Sequence, residues 1–178
     1  MLPGLAAGLI LLQPEPTALF VAERACIASG GDFEAFEQAG GAMGVPVSEA
    51  EIQAIFPTPP RGVGRVSGYR IGDIRVVLID LPAGRRNVSA PIQTAGEPVR
   101  MWDFDFPHSV VCRVQAPSLP EGWVSAIDAW VIENAPLRPR VTGQGFQRSW
   151  TFGSGGFVNA QAADDLMSRI DIVYRSTP

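Results

Sequence analysis

The sequence predicts an α+β domain: a mostly antiparallel sheet with N-terminal helices and one central helix packed on one face. Three observations carry that expectation. Helical start and stop signals fill the stretch from Thr17 to Pro60, and the apolar pattern switches to alternation after Arg61. One strongly helical segment after Ser118 then separates two groups of alternating segments. The order is helices, strands, helix, strands. Strict βαβ alternation is absent, which argues against a doubly wound fold.

The chain opens MLPGLAAGLILL, with no charge from Leu2 to Leu12. That run has the length of a signal-peptide core and is too short to span a bilayer as a helix. Gln13-Pro14-Glu15-Pro16 breaks it, so residues 1–16 read as a signal peptide and 17–178 as a single α+β domain. Two features depart from a standard signal: no basic residue precedes the run, and no A-x-A site follows it. The competing reading is a buried N-terminal helix of a cytosolic domain. No later stretch is apolar enough to cross a membrane, so no transmembrane segment is expected in the mature chain.

Thr17 to Ser29 reads as a helix, with Leu19, Ala22 and Cys26 on one face and Gly30-Gly31 as its end. Asp32 can cap a second helix through Ala39, with Phe33 and Phe36 inward and Gly40-Gly41 as the stop. Ser48 and Glu51 form a capping box for a short third helix, flanked by the Val47 and Ile52 staple and ended by Pro57-Thr58-Pro59-Pro60. Val63 to Tyr69 and Ile74 to Leu81 alternate as two strands joined at Gly72-Asp73. Val76-Val77-Leu78-Ile79 is apolar on both faces, so this strand is expected to be central. Pro82 to Pro98 reads mostly as a loop, Val99 to Phe106 and His108 to Gln115 as strands, the latter with Val110, Cys112 and Val114 on one face.

Ser118 and Glu121 form a second capping box, and Trp123, Val124, Ile127, Trp130 and Val131 follow at helical spacing. Trp123 and Trp130 read as core residues, and Trp150 as a cross-strand packing residue. Pro136 to Gly145 reads as a loop. Strands are expected over Phe146–Phe152, Phe157–Gln161 and Ile170–Arg175, with Gly153 to Gly156 as a turn and Ala162 to Ser168 left open between helical turn and loop.

Composition excludes several functions. The 178 residues carry 18 acids and 14 basic groups, a net charge of -4, and every basic group is Arg. A mildly acidic chain is not a general nucleic-acid binder. Without Lys there is no phosphate-binding P-loop, and no cofactor is expected. Residues 1–59 carry seven acids and one Arg, a sum of -6; residues 60–178 carry eleven acids and 13 Arg, a sum of +2. The acidic helical part reads as a solvated face or as a surface for a basic partner, and it can also attract the Arg-bearing part within the fold.

There are two Cys and one His. In an oxidising compartment an even pair reads as a disulfide, here Cys26 to Cys112. Asp103, Asp105 and His108 form D-x-D-x-x-H, a set able to bind a divalent metal, against the plainer reading of a polar strand edge with a turn at Pro107-His108. Cys112 lies too far along a strand from His108 for a nucleophile–base pair. Ser154 sits in a glycine turn without the strand-to-helix elbow of a hydrolase. Asp164, Asp165 and Asp171 read as cap and loop residues, and Arg138, Arg140 and Arg148 as an anion clamp or as surface ion-pair partners.

One arrangement resembles a known group. A helix carrying one Cys, ALFVAERACI, is followed by a strand carrying the second, VVCRV, then directly by the helix SLPEGWVSAIDAWV and the strand FQRSWTF. This is similar to small exported proteins of proteobacteria, over most of residues 17–176. The shared motifs are structural, so the resemblance implies a disulfide and an envelope location and brings no active site with it. The function expected is therefore an exported protein, periplasmic or secreted, that binds a protein or small-molecule partner. The alternatives are a hydrolase or metal enzyme built on Asp103, Asp105 and His108, and a structural component of the envelope.

Overall fold

The computed structural model describes residues 16–55, 63–89, 101–134, 140–143, 147–151, 156–162 and 167–175, with the side chains of 85–89, 101–106 and 134 outside that description. The class is α+β, and every strand pairing is antiparallel.

Helix α1 (Ala18–Val21) begins at Thr17, whose hydroxyl accepts from Phe20 N–H at 3.2 Å. It continues as a π-helical segment (Ala22–Ile27), marked by Ala28 N–H donating to Glu23 O. The buried stripe is Ala18, Val21, Ala22, Ala25 and Cys26, the spacing of one helical face. Helix α2 (Phe33–Met43) is capped by Asp32, which accepts from Ala35 N–H at 2.8 Å. It does not stop at Gly40-Gly41. Gly40 lies inside the helix because the Tyr69 ring rests on it: a Cβ there would meet Tyr69 Cδ2 at 2.2 Å. Helix α3 (Glu49–Ile55) carries the expected capping box, with Ser48 N–H donating to Glu51 at 3.0 Å and Glu51 N–H to Ser48 Oγ at 3.3 Å. Those Ser48 hydrogen bonds, backbone first, hold the Glu51 carboxyl below its ordinary range. The proline stop at 57–60 lies outside the described residues.

Strands β1 (Val45–Pro46), β2 (Val66–Ile71), β3 (Ile74–Leu81), β6 (Ser109–Ala116), β7 (Arg140–Thr142), β8 (Gln147–Thr151), β9 (Phe157–Gln161) and β10 (Ser168–Arg175) form one sheet in the order β1-β2-β3-β6-β10-β9-β8-β7. Strand β3 is central, as its two apolar faces require. Two segments expected to be loops contain strands. Strand β4 (Gly84–Ser89) pairs residue for residue with β5 (Met101–Phe106) in a separate ribbon, and β7 edges the main sheet within the 136–145 stretch. The polar composition of both hides them, because their ladder bonds depend on the partner strand and not on local propensity. The ribbon continues the β3–β6 hairpin past Pro82 and Pro107, which stand on opposite strands and lack the N–H that a ladder needs.

Helix α4 (Trp123–Asn134) starts later than expected. Gly122 takes φ 75°, a left-handed value that a right-handed helix cannot pass through, and Trp123 N–H bonds to Pro120 O at 3.1 Å. The helix therefore opens after a turn, and the Ser118–Glu121 box does not form.

The front face of the sheet holds the main core. Val76, Leu78, Cys112, Val114, Ile170 and Ile172 pack with Val21, Ala25, Phe36, Ile127 and Val131 in one cluster. Each such side chain contributes about 1.5–3 kcal/mol on burial. Trp123 and Trp130 pack at its margin, and Trp150 is fully buried with its indole N–H on Asp128. Successive strand residues face opposite ways, so Val77 and Ile79 look to the reverse face, where Ile55 of α3 covers them. The Cys26–Cys112 disulfide joins the π-helical segment to β6, with Cα atoms 5.6 Å apart and both residues fully buried.

Candidate functional site

The cysteines are both consumed by the disulfide, so neither is a nucleophile. Around them a polar link crosses the core. The Cys26 carbonyl, in the last turn of its helix, accepts from Tyr174 OH at 2.7 Å and from Ser29 Oγ at 2.8 Å. Burial pushes the Tyr174 phenol well above its ordinary value. This arrangement fastens the first helix to β10 and offers no reacting group to solvent.

His108 lies between β5 and β6, at the root of the ribbon, with Nε2 2.7 Å from Asp80 Oδ1. Asp80 carried no signal in the sequence; its distance of 28 residues from His108 is closed only by the β3–β6 pairing. Asp103 and Asp105 stand two apart on β5, which places them on one face of the ribbon, opposite Asn87 and Arg85. Their side chains lie outside the described residues. Among the described residues, no group of three or more His, Cys, Asp and Glu is placed to hold a metal ion.

Ser154, Asp164, Asp165 and Arg138 lie outside the described residues. Arg140 and Arg148 do not share a face. Arg140 pairs with Thr151, and Thr151 is adjacent to the inward-facing Trp150, so Arg140 points to the reverse face and Arg148 to the front. Asp171 is not a loop residue. It is buried on β10, directly opposite Arg113 on β6, and accepts from Arg113 Nε at 2.6 Å and Nη2 at 3.1 Å. Arg113 also donates to Ile55 O at 3.3 Å, which ties the end of α3 to the sheet.

The acidic helices and Arg-bearing strands do attract each other: Glu37 makes two 2.8 Å bonds to Arg65, and Glu51 stands 3.8 Å from Arg70 and 3.9 Å from Arg75.

The concavities of the described residues include two that bear on a ligand. One, of about 620 Å³, is open and lies at the β2–β3 turn, bordered by Thr17, Met43, Asp73 and Ser118. The other, of about 120 Å³, is an apolar cleft between the first helix and α4, lined by Leu19, Ala22, Ile27, Ala126 and Trp130, with Glu23 at its edge. Neither gathers an acid–base pair. No family model, curated protein or solved structure matches the chain. Among the described residues, no helix is long and apolar enough to cross a membrane.

The reverse face carries a row of polar donors. The register across the strands aligns Arg70, Arg75, Gln115, Arg169, Gln161 and Gln147 in one row. Sequence reasoning missed this row because its members lie on six different strands. Only the register makes them neighbours.

Proposed function

We propose that the protein is an exported, disulfide-stapled binding protein, periplasmic or secreted, and not an enzyme. The observation that carries export is the buried Cys26–Cys112 bridge, which spans 86 residues and links the first helix to a central strand. Bridges of this kind persist in oxidising compartments and are rare in reducing ones. Binding is favoured because the thiols are spent, the imidazole rests against Asp80, and a row of Arg and Gln side chains stands on the reverse face.

The test is cell fractionation followed by mass spectrometry without reductant. The envelope or medium fraction is expected to contain the chain with a Cys26–Cys112 cross-linked peptide. Recovery in the cytoplasm with two free thiols would overturn the compartment and the core architecture together.

A further inference from the structure

We propose that the apolar cleft between the first helix and α4 binds one small amphipathic amine, with its short alkyl chain in the cleft and its ammonium group at Glu23. This rests on the binding reading above and gives it a ligand class.

The cleft opens at the surface and ends in the core. Glu23 and Ala126 at its mouth are exposed, whereas Val158, Ile170 and Ile172 at its floor are 1%, 2% and 3% exposed. Ala22 and Ala126, one on each helix, line it with side chains too small to fill the space between. The π winding of Ala22–Ile27 shapes one wall. On an α-helix, residues five apart point about 140° away from each other. The i to i+5 pairing of a π turn stacks them, which brings both Ala22 and Ile27 to the cleft. Single π turns of this kind recur at functional sites.

Volume sets the size of the occupant. The cleft measures about 120 Å³. Apolar cavities of about 150 Å³ stay dry and take up benzene, so a chain of about five carbons is of the right order. The floor offers only apolar side chains, and a polar group carried there would lose water without gaining a partner. The polar end of the ligand therefore stays at the mouth.

Charge sets the nature of that end. Glu23 is the one ionisable group among the described residues that line the cleft, and no Arg lines it. Glu23 has no ion pair among the described residues. Arg24, its neighbour in sequence, stands over the Phe20 ring at 5.7 Å. Glu133, three residues beyond Trp130 on α4, is a second exposed carboxylate without an ion pair among the described residues. The mouth thus favours a cation over a neutral or anionic group on the same chain. Trp130 adds to the wall an indole, the side chain that attracts cations most strongly.

The experiment uses the oxidised full chain and follows the isoleucine methyl resonances by NMR. Pentylammonium, pentanol and pentanoate are titrated separately at neutral pH and constant ionic strength. Saturable shifts of Ile27, Ile127, Ile170 and Ile172 are expected with pentylammonium. Pentanoate is expected to bind about tenfold more weakly, from an attraction lost and a repulsion gained at an exposed carboxylate, with pentanol between them. E23Q is expected to shrink that ratio to about twofold, and A126L, which fills the mouth, to abolish the shifts with all three. Absence of saturable shifts with pentylammonium, equal or tighter binding of pentanoate, or an unchanged ratio in E23Q overturns the proposal. The wild-type titrations decide it even if a variant fails to fold. Failure here leaves the disulfide and the export reading untouched, since those are decided by the thiol state of the recovered protein.

Discussion

Replacing Gly40 by Ala sets two effects of opposite sign against each other. In a helix interior, Gly to Ala ordinarily stabilises by about 0.5–1 kcal/mol, because the unfolded chain loses freedom. At Gly40 the new methyl would stand 2.2, 2.6 and 2.7 Å from Cδ2, Cε2 and Cγ of Tyr69. The ring cannot retreat freely, since Phe36 packs on it with centroids 5.9 Å apart. Overpacking of this kind costs about 1–3 kcal/mol. Gly41, one position on, has Tyr69 Cε1 at 3.9 Å as its nearest neighbour and room for a methyl. G41A is therefore expected to gain about 0.5–1 kcal/mol, and G40A to fall below it by about 1–3 kcal/mol. For a domain of this size each kcal/mol shifts the melting midpoint by about 2–4 °C. Thermal unfolding of both oxidised variants, followed by circular dichroism, measures the gap. Equal stabilisation of G40A and G41A would refute the seating of α2 on β2.

Reducing the disulfide, or replacing both cysteines by Ala, is expected to cost about 4–5 kcal/mol on the chain-entropy account; coincident denaturation midpoints with and without reductant would contradict it. D171A removes the carboxylate that Arg113 grips across the two strands and is expected to lose about 3–5 kcal/mol, whereas the apolar double replacement D171L/R113M loses less; denaturant titration of both variants decides the order. The raised Tyr174 phenol means that the unfolded chain releases its proton first, from the ordinary value of 10.0 upward. The folded state then holds more protons, so stability is intact below that pH and falls as pH rises above it. Y174F, measured by urea midpoints across that range, is expected to lose this component of the slope, and an unchanged slope would refute the burial account.

The parts of the fold legible in the sequence were those with short-range causes. Asp32 and the Ser48–Glu51 box cap their helices as read, since a cap needs only residues within one turn. The two-faced apolar run at residues 76–79 marked a central strand for a reason contained in the run itself. Gly40 shows where local signals fail. Its sequence context is that of a helix stop, but the Tyr69 ring makes it a contact point inside the helix. Ser118 and Glu121 have the spacing of a box that Gly122 prevents. Strand β4 offered no apolar alternation to read, because its support comes from β5.

The candidate site was still less legible. Asp171 and Arg113 are 58 residues apart, and Arg75 and Arg169 are separated by an entire crossing of the sheet. Asp171 read as a cap or loop residue, and nothing local in the sequence set Arg75, Arg113 or Arg169 beside a partner.

By itself the sequence determined the α+β class, most of the helix caps, the central strand and the two cysteines that an oxidising compartment would join. The tertiary structure alone decided the strand order, the Asp80 partner of His108, the Arg113–Asp171 pair and the Arg75–Gln115–Arg169 row. The physical reason is range. Caps and alternation are settled over a few residues, whereas register is settled by packing a whole face, and a slip of one residue would turn every member of that row to the other side.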